Sequence, residues 1–142
     1  MILLDAYALH AFVMDEDAAS EVDELMRTDA AAIVATNLSE VVDGLIRKEG
    51  WAEGEVVPRL GTVVGPLVEI RQVTEAACWQ AGVLRSRHYD RTTCDLSLAD
   101  CVLLASAGPD DSIATADPAV AAVARAEGIG LTPLPDSSGQ RP

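Results

Sequence analysis

The chain has 142 residues, 49% of them hydrophobic, and a formal net charge of −13 from 23 acids against 10 bases. That length and apolar content fit one domain with a real aliphatic core, and the charge excludes a protein that coats nucleic acid by overall electrostatic attraction. Three cysteines, Cys78, Cys94 and Cys101, lack CxxC or Cys/His ligand spacing, which argues against a disulfide framework or zinc site and for reduced thiols in the cytoplasm.

Met1 to Tyr7, MILLDAY, opens with four apolar residues that run into Asp5. A short, wholly apolar run reads as a strand buried on both faces at the centre of a parallel sheet. The carboxylate inside this region and the lack of a basic n-region argue against a signal peptide, and no apolar run is long enough to span a bilayer. Ala6 to Val13, apolar with one histidine, is expected to form a short helix or a turn of one. Glu16 to Arg27 is helical in pattern, with Ala18, Val22, Leu25 and Met26 on one face. Ala31 to Ala35 is the expected second strand, and Thr36 and Asn37 offer caps for a helix through Lys48 that Gly50 ends. Glu53 to Val64 reads as a further helix, interrupted by Pro58 and Gly61. Leu67 to Val73, with mixed character, is expected at a sheet edge.

Thr74 caps a helix to Arg87, on whose apolar stripe Trp79 is expected to be core. Ser97 caps a strongly apolar helix, Leu98 to Ala107, that stops at Gly108-Pro109. Ser112 to Thr115 is a fourth strand. Asp117-Pro118 opens a helix to Glu127, with proline at its favoured first position. Ile129 to Thr132 is a fifth, short strand. The sequence divides into a packed domain over residues 1–133 and a flexible tail over 134–142. Strands alternating with helices predict an α/β fold with a central, mainly parallel sheet of about five strands flanked by helices.

Four acids stand out by position. Asp5 follows strand one, Glu40 lies in the first turn after strand two, Asp100 lies in the first turn after Ser97, and Asp117 follows strand four. In a parallel sheet, strand ends and the starts of the following helices share one edge. Each acid alone also has a local reading: Glu40 and Asp100 as capping-box partners of Asn37 and Ser97, Asp117 as an N-cap, Asp5 as a turn residue. Capping does not require the edges to coincide, so the signal is the set. Gathering carboxylates is costly, roughly 3 kcal/mol for each pair at ~5 Å and an effective dielectric of ~20. A hard divalent cation, Mg²⁺ or Mn²⁺, removes that cost, and an acid-only site of this kind suits phosphodiester hydrolysis.

The stretches LLDAYAL, LSEVV around Glu40, SLADCVLLASA around Asp100 and IATADPAV around Thr115 and Asp117 resemble the four motifs of PIN-domain ribonucleases, above all the VapC-like toxins of bacterial toxin–antitoxin pairs. The resemblance covers about residues 1–133. It implies a site for one or two Mg²⁺ or Mn²⁺ ions with Asp5, Glu40, Asp100 and Asp117 as direct or water-mediated ligands, and Thr115 as a hydroxyl lining the site. It implies an RNA substrate, a cognate protein antitoxin over the acidic pocket, and a homodimer or toxin–antitoxin hetero-oligomer. For Thr115, the plain role of a β-branched residue finishing a strand stays open.

Asp43, one turn after Glu40, is expected as an exposed helix acid, Asp95 as a loop residue, and Asp110 and Asp111 at the opposite sheet edge. Arg85, Arg87, His88 and Arg91 form the densest basic patch, either a contact for phosphates or a solvated helix end. His10 and His88 are expected to serve packing or the surface, and Trp51 to sit in a loop open to a partner. Two functions follow: a metal-dependent endoribonuclease toxin, or a catalytically silent PIN-fold binding module acting through a partner. A receiver domain is disfavoured because Asp5 is unpaired, and a haloacid-dehalogenase phosphatase because Asp5-Ala6-Tyr7 is not Asp-x-Asp.

Overall fold

The computed structural model describes residues 1–142 as twelve elements. They are β1 (Ile2–Leu4), α1 (Ala6–Met14), α2 (Ala19–Thr28), β2 (Ala31–Val34), α3 (Ala35–Arg47), α4 (Glu53–Leu60), β3 (Val68–Arg71), α5 (Glu75–His88), α6 (Leu98–Ser106), β4 (Ser112–Thr115), α7 (Pro118–Glu127) and β5 (Gly130–Pro133). The five strands form one sheet in the order β3-β2-β1-β4-β5, with every pairing parallel. The wholly apolar β1 is therefore central and the mixed β3 is an edge, as their compositions predict.

Side chains alternate across the strands and feed two cores. Ile2, Leu4, Ile33 and Ala114 pack with α1 to α4 on one face, whereas Leu3, Ala32, Val34 and Ile113 pack with α5 to α7 on the other. The chain runs outward from β1 to β3, then returns to place β4 on the other side of β1. That reversal makes β1 and β4 the topological switch point, where an open α/β sheet leaves a crevice at the carboxyl ends of its strands.

Several boundaries differ from the sequence reading. Helix α3 starts directly at Ala35, with extended Val34 as its N-cap and no side-chain cap. Thr36 and Asn37 therefore lie inside the helix, and Glu40 stands in its second turn. Asn37 is fully buried and spends its amide on Glu40. Helix α4 ends at Leu60 because it already carries Pro58 and meets Gly61. Trp79 is 74% exposed rather than core. The buried stripe of α5 is Ala77, Ala81 and Leu84, and at about 100° per residue position 79 points almost directly away from 77. Its indole N–H donates to Glu75.

The packed chain also extends past residue 133. Leu134 is fully buried and its N–H donates to the Thr115 carbonyl at 2.8 Å. The Tyr7 hydroxyl donates to the Pro135 carbonyl at 3.0 Å, and Arg141 reaches Glu21 on α2. No helix is long and apolar enough to cross a membrane.

Candidate active site

Asp5, Glu40, Asp100 and Asp117 line one pocket of about 360 Å³ at the carboxyl edge of the sheet. Asp5 comes from the end of central β1, where it caps α1 by accepting from the Ala6 N–H at 2.6 Å. Asp117 follows β4 and caps α7, accepting from the Ala119 and Val120 N–H groups. Asp100 reaches the same edge because α6 begins there. Ser97 accepts from the Asp100 N–H at 3.0 Å while Asp100 accepts from the Ser97 N–H at 2.7 Å, a complete capping box. Glu40 projects from α3 and accepts from buried Asn37 at 3.3 Å. The capping roles and the convergence are thus compatible: three of the four acids are fixed by helix N-termini that all open on this edge.

Thr115 is not on the pocket wall. It is fully buried behind Asp5, donating its hydroxyl to Asp5 Oδ2 at 2.6 Å and accepting from the Asp117 N–H at 2.9 Å. Its role in the geometry is to hold two acids rather than to face a ligand.

None of the four carboxylates has an ion-pair partner, although six of the chain's other acids sit against an arginine. The electrostatics show the strain of this arrangement. Burial raises the Asp5 carboxyl from 3.8 to about 7, with the charges of Asp100 and Asp117 adding to it and the Thr115 and Ala6 hydrogen bonds opposing it. Burial also pushes Asp100 up, against the bonds from Ser97 and with the Asp117 and Asp95 charges. Glu40 is raised by burial and then by Asp100. Perturbed carboxyls that raise one another in one cleft mark a site built for charge compensation.

The donor set fits a hard divalent cation. It is all oxygen, and Asp100 Oδ1 and Asp117 Oδ2 carry no hydrogen bond, leaving lone pairs free. No three His, Cys, Asp or Glu side chains stand close enough together to grip one ion directly.

The remaining acids separate from this group as expected. Asp43 pairs with Arg47 on the outside of α3. Asp111 lies at the opposite edge, against Arg71 and the N-terminal ammonium. Within the basic patch, Arg87 and His88 are both engaged by Glu127. Trp51 packs beneath Arg59, 4.6 Å from the guanidinium carbon.

Sequence reasoning missed the far half of the pocket, formed by Tyr7 and His10 of α1 and by Gly44 and Lys48 along α3. His10 stands between Glu16 and Glu49, at 3.4 and 3.6 Å. The available signal was spacing: Glu40, Gly44 and Lys48 recur every four residues and share one helix face.

No protein-family model matches the sequence, and a search of curated proteins returns no match. Solved structures do match. VapBC2 from Rickettsia felis, bound to a DNA fragment from its promoter, aligns with a TM-score of 0.68 and 15% identity over 93% of this chain and 98% of that one. FitAcB from Neisseria gonorrhoeae gives 0.65 and 18%, over 92% and 96%. VapC20 of Mycobacterium tuberculosis, a toxin that cleaves the sarcin-ricin loop, gives 0.57 and 19%, over 91% and 85%. At these identities the likeness establishes the fold: the chain has the PIN-domain architecture of the VapC structures.

Proposed function

We propose that this chain is a Mg²⁺-dependent endoribonuclease, with Mn²⁺ as a substitute, that hydrolyses RNA phosphodiester bonds as the toxin half of a cytoplasmic toxin–antitoxin pair. The observation that carries the reading is the meeting of four carboxylates, none with a cationic partner, in one pocket at the switch point of the sheet. The fold shared with an RNA-cleaving VapC toxin supports it.

The ions would be held by Asp5, Glu40, Asp100 and Asp117. A divalent cation held there would supply a more acidic bound water as nucleophile and charge stabilisation at the scissile phosphate. The protein's share is pre-organisation. Thr115, the Ala6 N–H and the N-termini of α6 and α7 hold Asp5, Asp100 and Asp117 before any ligand arrives, so little reorganisation remains at the moment of reaction.

A cognate protein antitoxin would cover the acidic pocket, with a basic side chain as the natural plug, and the chain would assemble as a homodimer or a toxin–antitoxin hetero-oligomer. The VapBC2 and FitAcB complexes share this fold and support that assignment.

Purified protein freed of partner, incubated with structured and unstructured RNAs in Mg²⁺ or Mn²⁺, tests the activity. Cleavage that stops with EDTA and in Asp100→Asn supports the nuclease. A folded protein that cleaves nothing with either ion refutes it and leaves the silent binding module.

A further inference from the structure

Ten lysines and arginines serve a chain of net charge −13, and most are already engaged. Arg27, Arg47, Arg59, Arg71, Arg87 and Arg141 each pair with a carboxylate, and Arg125 reaches the Pro142 carbonyl. Four have no acidic partner: Lys48, Arg85, Arg91 and Arg125. Two of these four lie at or next to the acid pocket: Lys48 lines it, and Arg85 lines the neighbouring pocket beyond Ser97. Lys48, the only lysine, is exposed and lines the pocket itself. It is the C-cap of α3, eight residues beyond Glu40 and about 12 Å further along the helix axis. Gly44 between them packs against the His10 ring, and both line the same pocket as the carboxylates and the ammonium.

Arg85 lies on the other side. Its Nε donates to the Leu96 carbonyl, and its guanidinium stacks on the Tyr89 ring with 4.2 Å to the centroid. Together with Gly82, Ser86, Tyr89 and Leu98, Arg85 forms a second, shallow pocket of about 400 Å³. Ser97 lines the acid pocket and Leu98 lines this one, so the N-terminus of α6 is a shared wall.

We propose that Lys48 and Arg85 are the two phosphate-holding ends of a single-stranded RNA track that crosses the acid pocket, one gripping the backbone on each side of the scissile bond. The proposal rests on the nuclease reading for its direction but on the distribution of free cations for its residues. An acidic protein cannot hold a polyanion by net charge. It needs cations free of acidic partners beside the site, and Lys48 and Arg85 are placed there. Arg85 adds a planar face beside Tyr89 and exposed Leu98, a surface on which a flanking base can stack. Arg87 and His88 are excluded from the track because Glu127 already holds both. Lys48 and Arg85 are positioning residues: they fix where the strand lies and leave the reacting phosphate to the carboxylates.

The test is binding of a fluorescein-labelled 12-nucleotide single-stranded RNA of mixed sequence to the full chain, measured by anisotropy across a salt series without divalent ion and repeated with Ca²⁺. Lys48→Gln and Arg85→Gln are each expected to weaken binding about fivefold at 0.1 M salt and to lower the log–log salt slope by ~0.7, the signature of one lost single-strand phosphate. Lys48→Arg restores most of the loss. Arg27→Gln removes the same charge from an ion pair on α2 and leaves affinity unchanged. Equal losses in Arg27→Gln and Lys48→Gln would mean that overall charge alone matters, and would overturn the track. So would a Lys48→Gln protein that binds RNA normally but takes up Mg²⁺ more tightly, because Lys48 would then be a built-in counter-ion for the acids. Wild type that does not bind the RNA overturns it too. Binding that depends on Lys48 and Arg85 without any cleavage sinks the nuclease reading and leaves the track standing.

Discussion

Thr115 donates its hydroxyl to Asp5 Oδ2 at 2.6 Å from the adjacent strand. Its oxygen is already occupied by the Asp117 N–H, so the hydroxyl proton has one direction left, and one small side chain sets the orientation of two acids. Thr115→Val keeps the shape and removes both bonds. Urea unfolding should show a loss of about 1–3 kcal/mol, from a buried carboxyl and amide left unpaired. Mg²⁺ affinity should fall about 10–100-fold, as when an outer partner of a metal ligand is removed. Thr115→Ser should recover most of both. A Val variant with normal Mg²⁺ affinity would show that Thr115 serves stability only.

The same site carries a pH signature in the ion-free protein. Asp5 titrates near 3.8 in ordinary surroundings and near 7 in the fold, so between those values the folded chain holds a proton that the unfolded chain has released. Stability from this group is therefore present at low pH and is lost as pH rises toward 7 and beyond. Asp100 and Glu40 shift in the same direction, while Asp111 and Glu127, lowered by Arg71 and by His88 with Arg87, act oppositely. The clean reading is a difference. In EDTA, wild type should lose up to about 4 kcal/mol relative to Asp5→Asn between pH 4 and pH 7.5. Parallel stability curves for the two proteins would show that Asp5 is not held in a desolvated, acid-rich pocket.

Divalent ions should reverse that loss. At a concentration 100 times its Kd, a ligand of the folded state adds about 2.7 kcal/mol, and a chain of this size gains roughly 5–11 °C in Tm from it. Differential scanning fluorimetry at pH 7.5 with Mg²⁺ or Mn²⁺, against Na⁺ at matched ionic strength, reads the effect. Asp5→Asn and Asp100→Asn should each flatten it. An equal rise with Na⁺ would reduce the response to salt screening of the acidic surface.

Much of this site was legible in the chain because each acid sits where a strand ends or a helix begins. Asp5 after ILL, Asp100 three residues after Ser97, and Asp117 before Pro118 are local signals, and the parallel sheet converts them into one edge. Glu40 was legible as a pocket acid but not in its mounting, because nothing in AIVATN marks the helix as starting at Ala35 without a side-chain cap. For Thr115 only the family resemblance implies a hydroxyl lining the site, and its burial behind Asp5 depends on the β1–β4 pairing. Lys48 escaped because a lone lysine at a helix end ordinarily faces solvent, and its place in the pocket follows from how α3 crosses the sheet edge. Trp79 misled because an aromatic is the obvious core residue, whereas α5 packs closely through Ala77 and Ala81 and turns its tryptophan outward.

Asp117 allows structure and chemistry to be separated at a single position. Its Oδ1 accepts from the Ala119 and Val120 N–H groups at the start of α7, while Oδ2 has no hydrogen bond and the residue lines the pocket. Asn caps a helix about as well as Asp, whereas Ala forfeits roughly 1 kcal/mol. Asp117→Asn should therefore unfold in urea within about 0.5 kcal/mol of wild type, yet lose the Mg²⁺-induced rise in Tm and RNA cleavage together. Asp117→Ala should lose both and the cap as well. If the carboxylate at 117 were only a helix cap, the Asn variant would keep full Mg²⁺ response and the Ala variant would differ from wild type in stability alone. Finding the chemical loss already complete in Asn, with the stability loss appearing only in Ala, would assign the negative charge to the pocket and the hydrogen bond to the fold.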